Sequence, residues 1–473
     1  MHPLVVLNIV GLTPELVGVH TPNLARLAQR GGLRPLRTVT PAVTCSVQAT
    51  FLTGLPPGGH GAVGNGWLFR DLYEIWLWRQ SNRLLSGERV WDAGKRRNPR
   101  FTCANMFWWY NMASSADYAV TPRPIYKADG RKIPDCYAQP SGLRDELTAK
   151  LGPFPLFSFW GPATSIASTR WIADAALHVI ETRNPTLTLV YLPHLDYGLQ
   201  RLGPDNLEIA KDLHEVDGVA GTLIDAAEAC GRKVLIVSEY GIVPVRKPVH
   251  INRALRQAGL LTVRDELGDE LLDPPQSRAF AVADHQVAHV YVADGGDIAR
   301  VRALLERIDG IAEVWGTEEM RVHGLEHERC GELVAIARPE AWFTYYYWLD
   351  DAGAPDFART VEIHRKPGYD PVELFLDPAI RFPKLAIGWR LLKRTLGMRT
   401  LMDVIPLDAS LVRGSHGRAD TPPARGPLVL SSDAELLPEG TINATDIKQL
   451  MLDHVFGRLA KARNGASLET GYP

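Results

Sequence analysis

The sequence predicts an α/β fold, and two stretches carry that expectation. Residues 4–10 (LVVLNIV) form a continuous apolar run that reads as a buried strand, and a helical stretch follows it. Far along the chain, QVAHVYV, ARVRALLERI and AEVWG across residues 286–316 repeat the order strand, helix, strand. With 473 residues the chain can bury a large core, and its length permits two or more domains.

Gly11 and a Thr13-Pro14 turn close the first strand. Thr21, with Pro22 at the first helical position, opens a short helix through NLARLAQR that stops at Gly31-Gly32. Pro41 ends the next extended piece and residues 46–52 can run as a helix, which lands Thr44 where that helix begins. Its hydroxyl would then lie among unpaired backbone N–H groups, where a phosphate is stabilised. A threonine alcohol is a weak nucleophile and needs a metal ion or a base to activate it. Taken alone, a threonine here is as readily a helix cap.

Later segments add candidates in pairs of readings. FWWY at 107–110 and WFTYYYW at 342–348 are aromatic enough to stack on a base, sugar or polyene, and equally suited to core packing. ADHQVAHVYV (283–292) puts His285 and His289 four apart on one expected strand, as ligands on a shared face or as core and edge histidines. In EIHRKPGYDPVELF (362–375), His364, Arg365, Lys366 and Asp370 surround a Gly-Tyr turn that either lines a site or carries surface salt bridges. KLAIGWRLLKRTLGMR (384–399) is basic and partly amphipathic, which suits anionic lipid, a partner or a solvated face.

Charges nearly cancel, with 52 Lys and Arg against 54 Asp and Glu, which argues against a binder of polymeric nucleic acid that relies on phosphate neutralisation. Cys45, Cys103, Cys136, Cys230 and Cys330 are scattered without CxxC spacing, so neither a disulfide framework nor a structural zinc site is expected. Cys45, beside Thr44, is an alternative thiolate nucleophile or buried packing. The amino terminus enters the first strand without a basic leader and no transmembrane run is visible, so a cytoplasmic location is expected.

Thr44, Thr53-Gly54, His60-Gly61 and Gly64-Asn65 together resemble the nucleophile region of the alkaline phosphatase superfamily, in its nucleotide pyrophosphatase and type I phosphodiesterase branch. That branch also includes phosphonoacetate hydrolase. The resemblance implies Thr44 as the phosphoryl-accepting nucleophile and Asn65 as a donor to a non-bridging phosphate oxygen. TLTLVYLPHLDYGLQRLGPD (186–205), KVLIVSEYG (233–241) and LVRGSHG (411–417) resemble three further family blocks in the family's order. They imply an alkaline phosphatase-like α/β/α sandwich with a central, mostly parallel sheet and its site at the carboxyl ends of the strands. Residues 1–70, 185–340 and 405–473 are expected as the core, 71–184 as an inserted cap and 341–404 as a second insertion or lid.

The same resemblance implies two divalent ions, commonly zinc, held by the nucleophile, three aspartates and three histidines. Here the first aspartate falls on Val10, which cannot ligate. The second is Asp196, the histidine four residues on is Gln200, the Asp-His pair is Glu239-Tyr240, and the last histidine is His416. A zinc site needs at least three good ligands, so a two-zinc site is not expected. Two readings remain. Asp196, Glu239 and His416, with Gln200 as a weak oxygen donor, hold one zinc or manganese ion, iron being equally suited by ligand type; or no ion is bound and Glu239 acts as general base toward Thr44. His194 is a further ligand or a strand-end histidine facing solvent, and Arg201 replaces positive charge lost with a metal. His194, Arg201, Tyr240, His364 and Asp370 are the candidate substrate contacts. The expected function is hydrolysis of a small phosphorylated substrate, of the phosphodiesterase or pyrophosphatase kind. The alternative is an inactive or repurposed relative that binds a phosphorylated metabolite or a partner. The oligomeric state is left open.

Overall fold

Strand Leu4–Ile9 is buried on both faces, as its unbroken apolar run requires, and stands near the middle of a nine-stranded sheet. The computed structural model describes residues 1–128 and 131–458. From one edge to the other the sheet runs Ile442–Asn443, Gly32–Arg37, Leu428–Ser431, Lys233–Val237, Leu4–Ile9, Leu187–Leu192, Cys103–Met106, Tyr118–Pro122, Cys136–Gln139. The five strands from Lys233–Val237 to Tyr118–Pro122 are parallel. Leu428–Ser431 and Cys136–Gln139 pair antiparallel to either side of them. Helices Pro22–Arg30, Ile166–Arg183 and Ile209–Ala229 pack as one layer, and Thr44–Thr53, Val90–Arg97 and Ile447–Phe456 as another. This is the expected α/β sandwich on a mostly parallel sheet.

Segment 71–184, expected as a cap, instead sends three strands into the sheet and supplies helix Ile166–Arg183 to its cover. The strand, helix, strand pattern near 286–316 is present, but in a second sheet. Strands Val287–Val292 and Ile311–Trp315 both lie antiparallel to Leu333–Ala337, which sits between them, so they are parallel to each other with helix Ile298–Leu305 connecting them. Ala279–Asp284 completes this four-stranded sheet. Trp342, Tyr345, Tyr346, Tyr347 and Trp348 are buried in its hydrophobic cluster, so this aromatic run is core packing. Phe107, Trp108 and Tyr110 are buried likewise.

All five cysteines are free, and only Cys230 is exposed. Among the described residues no helix is long and apolar enough to cross a membrane.

Candidate active site

The parallel strands end along one edge of the sheet, and the chain segments leaving them build the site. Helix Thr44–Thr53 starts at Thr44, two residues before the expected run, and stops at Gly54, whose left-handed φ of 73° favours glycine. Thr44 is its first residue and makes no side-chain cap; Val43 occupies the cap position. Asn65 arrives beside the same helix start, and its Oδ1 accepts from the Cys45 N–H at 3.0 Å. His60 is buried, its Nε2 bonded to Thr50 Oγ1 at 3.0 Å and its Nδ1 accepting from the Ala62 N–H. Burial pushes its pKa down to about 3. Burial also pushes the Cys45 thiol well above its ordinary range, which removes it as a thiolate.

Glu239 and Tyr240 follow strand Lys233–Val237 into the space beside Thr44. Gly241 permits the turn, since a Cβ there would lie 1.7 Å from the Arg425 carbonyl oxygen. The Tyr240 hydroxyl lies 3.1 Å from Thr44 Oγ1 and donates to Asp196 Oδ1 at 3.3 Å, leaving its own oxygen to accept from Thr44. Its ring stacks on His416, with centroids 3.5 Å apart and planes 6° apart. Gln200 donates to Asp196 Oδ2 at 2.7 Å and accepts from the Tyr369 hydroxyl at 3.0 Å. Glu239 Oε1 accepts from Asn8 and Gln48, each at 2.6 Å, while Oε2 is buried without a partner.

Desolvation dominates the electrostatics. Burial raises the Asp196 carboxyl to about 7 against the opposing hydrogen bonds from Gln200 and Tyr240. It raises Glu239 to about 8, although the bonds from Gln48 and Asn8 favour the charged form. A carboxyl held near neutrality is suited to proton transfer. His416 donates through Nδ1 to the Ala42 carbonyl at 2.8 Å, so its buried, unpartnered Nε2 carries the lone pair. Burial holds His416 neutral, well below its ordinary pKa.

These residues do not fit the metal centre implied by the resemblance. Val10 is fully buried and apolar, and the Tyr240 ring and hydroxyl fill the space between His416, Thr44 and Asp196. Among the described residues, the group of three acidic, histidine or cysteine side chains whose ligand atoms close to within 4.8 Å is His194, Asp212 and Glu215, not Asp196, Glu239 and His416. An amide and a phenol donate to Asp196, and two amides to Glu239 Oε1, instead.

His194 is neither on a strand nor facing solvent. The strand stops at Leu192, and helix His194–Leu202 begins after Pro193, so His194 and Asp196 point to different sides of a helix. His194 Nε2 bonds Glu215 Oε2 at 3.0 Å, and Arg201 acts on the charges of His194 and Asp212, away from Asp196. His364 is exposed. Asp370 is buried in an ion pair with Lys366, which Glu373 also contacts, each at 2.7 Å. From that segment it is Tyr369 that reaches the site.

The second sheet adds Asp284, which sequence reasoning left outside the site, and His285, which it weighed only as a strand histidine paired with His289. His285 lies not on a strand beside His289 but in the turn between Ala279–Asp284 and Val287–Val292, at a φ of 61°. Asp284 bonds His285 Nδ1 at 2.9 Å and accepts from both the backbone and the side-chain amide of Asn65 at 2.7 and 3.0 Å. The His285 ring lies 3.7 Å from those of His416 and Tyr369. His289 donates to the Val63 carbonyl, in the wall of the nucleophile segment.

The fold is alkaline phosphatase-like and is shared with solved structures of two relatives. A phosphonoacetate hydrolase from Sinorhizobium meliloti superposes with a TM-score of 0.62 over 96% of each chain at 16% identity. Murine ectonucleotide pyrophosphatase/phosphodiesterase 5, solved as an inactive variant with AMP, superposes with a TM-score of 0.59 over 98% of each chain at 14% identity. The profile of the type I phosphodiesterase/nucleotide pyrophosphatase family matches residues 4–370, and the chain belongs to that family. An uncharacterised pyrophosphatase/phosphodiesterase of Schizosaccharomyces pombe is 25% identical over 240 residues, which are 47% of this chain and 41% of that relative.

Proposed function

We propose that the protein hydrolyses a phosphodiester or phosphoanhydride bond in a small phosphorylated molecule, with Thr44 as the phosphoryl acceptor. One observation carries this reading: the Thr44 hydroxyl sits at a helix start beside Asn65, 3.1 Å from the Tyr240 hydroxyl, which in turn donates to Asp196. Membership of the family and the AMP complex of the murine relative support the substrate class.

The Thr44 oxygen attacks phosphorus and the P–O bond to the leaving group breaks, while the hydroxyl proton leaves along the bond Thr44 makes to the Tyr240 oxygen, whose own proton passes to Asp196 Oδ1 and on to the departing oxygen. Water then cleaves the phosphothreonine ester and regenerates the hydroxyl. Tyr240 positions the Thr44 oxygen, and Asp284 positions Asn65 as a donor to a phosphate oxygen. No step is routed through an ion. Replacing Thr44 with alanine should abolish turnover of phosphodiester and phosphomonoester substrates by about a thousandfold or more while the chain stays folded. Undiminished turnover in that variant overturns the reading.

The second reading, a relative that binds a phosphorylated metabolite without turning it over, is favoured by the Tyr240 ring lying where the resemblance expects a histidine ligand. Saturable binding of AMP with no turnover of any phosphoester supports that reading instead.

A further inference from the structure

Helix Pro383–Thr395 has no buried residue, and it carries the densest run of exposed apolar side chains described in the chain. Phe382, Leu385, Trp389, Leu392 and Leu396 are between 47% and 72% exposed. Their spacing of three, four, three and four residues places them in one stripe along the helix. Away from the stripe, Ile387 packs against the core of the second sheet and Arg390 donates to Asp403 Oδ1 at 2.7 Å, beside the exposed Leu391. The stripe is therefore held outward.

The charge around it has one sign. Between Asp377 and Asp403 the sequence has Arg381, Lys384, Arg390, Lys393, Arg394 and Arg399 and no acidic residue, in a chain whose net charge is −2. Lys393 falls at one margin of the stripe by helical geometry and lies over the Trp389 ring, 5.4 Å from its centroid, while Lys384 stands about 120° from the stripe axis on the other side, within reach through its long side chain. Tryptophan, phenylalanine and leucine on one face with lysines along its margins match the water–lipid interface, where rings and methyl groups enter the acyl boundary and ammonium groups meet the headgroups. A contiguous apolar patch of this kind marks a docking surface, and its cationic margin selects an anionic one.

We infer that helix Pro383–Thr395 docks the protein onto an anionic lipid surface, lying in the interface plane without spanning it. At 13 residues it is too short to cross a bilayer. Each cation near such a surface strengthens binding about fivefold, an advantage that salt screens.

The test is co-sedimentation of the full chain with phosphatidylcholine vesicles, with and without phosphatidylglycerol. The protein should pellet with the anionic vesicles, remain in solution with neutral ones, and be released by high salt. The Leu385→Glu/Trp389→Glu variant should lose binding. The Lys384→Glu/Lys393→Glu variant should weaken it on the order of tenfold or more. All four side chains lie outside the core, and an unchanged far-UV spectrum and unfolding midpoint serve as the control on folding. Equal binding to neutral vesicles, or binding untouched by either variant, overturns the proposal. So does a wild-type chain that ignores vesicles but self-associates through the stripe, shown by a concentration-dependent mass that Leu385→Glu/Trp389→Glu abolishes.

Discussion

Two halves of the site differ in how they are held. On the nucleophile side, polar side chains bind backbone: Asn65 takes the Cys45 N–H, Ser46 donates to the Ala62 carbonyl, and His60 takes the Ala62 N–H. On the side where the resemblance places metal ligands, most side chains bind one another, although His416 holds the Ala42 carbonyl. Asn8 and Gln48 hold Glu239, while Thr44, Tyr240, Asp196, Gln200 and Tyr369 form one chain of hydrogen bonds. A side chain that fixes a turn is hard to replace, because the backbone groups it satisfies stay where they are. A ligand set can be exchanged wholesale, provided each carboxyl finds new donors.

The largest effect is expected from reversing that exchange. The triple variant Val10→Asp/Gln200→His/Tyr240→His restores the ligand types implied by the resemblance, and it should retain at least one more zinc per chain than wild type after dialysis, measured by elemental analysis. An unchanged zinc content would show that the surrounding shell, rather than these three side chains, excludes the ion.

His60 sharpens the other half. Its folded pKa of about 3 lies below its ordinary value, so the folded chain binds fewer protons than the unfolded chain between those values. Its contribution to stability is full above about pH 6.5 and is lost as pH falls toward 3. Urea unfolding should lose up to about 1.4 kcal/mol per pH unit from this residue across that window. His60→Asn should flatten the slope, and an unaltered slope contradicts a buried neutral imidazole.

A smaller effect is expected at Asn8. Asn8→Leu removes one of the two donors to Glu239 Oε1 in a fully buried setting, and should cost about 1–3 kcal/mol in denaturant unfolding. A cost within error would mean that Gln48 alone satisfies the carboxyl. The smallest effect is the absence of one: chelation by EDTA should leave both the unfolding midpoint and any phosphoester turnover unchanged, since Asp196, Glu239 and His416 do not converge on a common point.

The sequence made the first half legible because its residues sit at fixed spacing within 22 positions, from Thr44 to Asn65. Asp196 and His416 were legible for the same reason, each inside a short block. Asn8, Gln48, Tyr369 and Asp284 were not, since they reach the site from separate elements with no spacing to mark them, and His285 was marked only by its spacing from His289, which misplaced it on a strand. One signal was present in Asn8, a lone amide inside the apolar run LVVLNI, where burial demands a partner. Pro193 was another, because it separates the strand from the helix that carries His194 and Asp196. The turn at His285 was hidden inside what reads as one continuous strand, and its left-handed backbone leaves no mark on a histidine.

The claim that Thr44 accepts the phosphoryl group is tested most directly by mass analysis of protein quenched in acid during turnover of a phosphodiester. The account predicts a phosphoryl or phosphoester adduct on the peptide containing Thr44, present in wild type and missing in Thr44→Ala. Turnover that leaves no adduct, or an adduct mapped to any other residue, would contradict it.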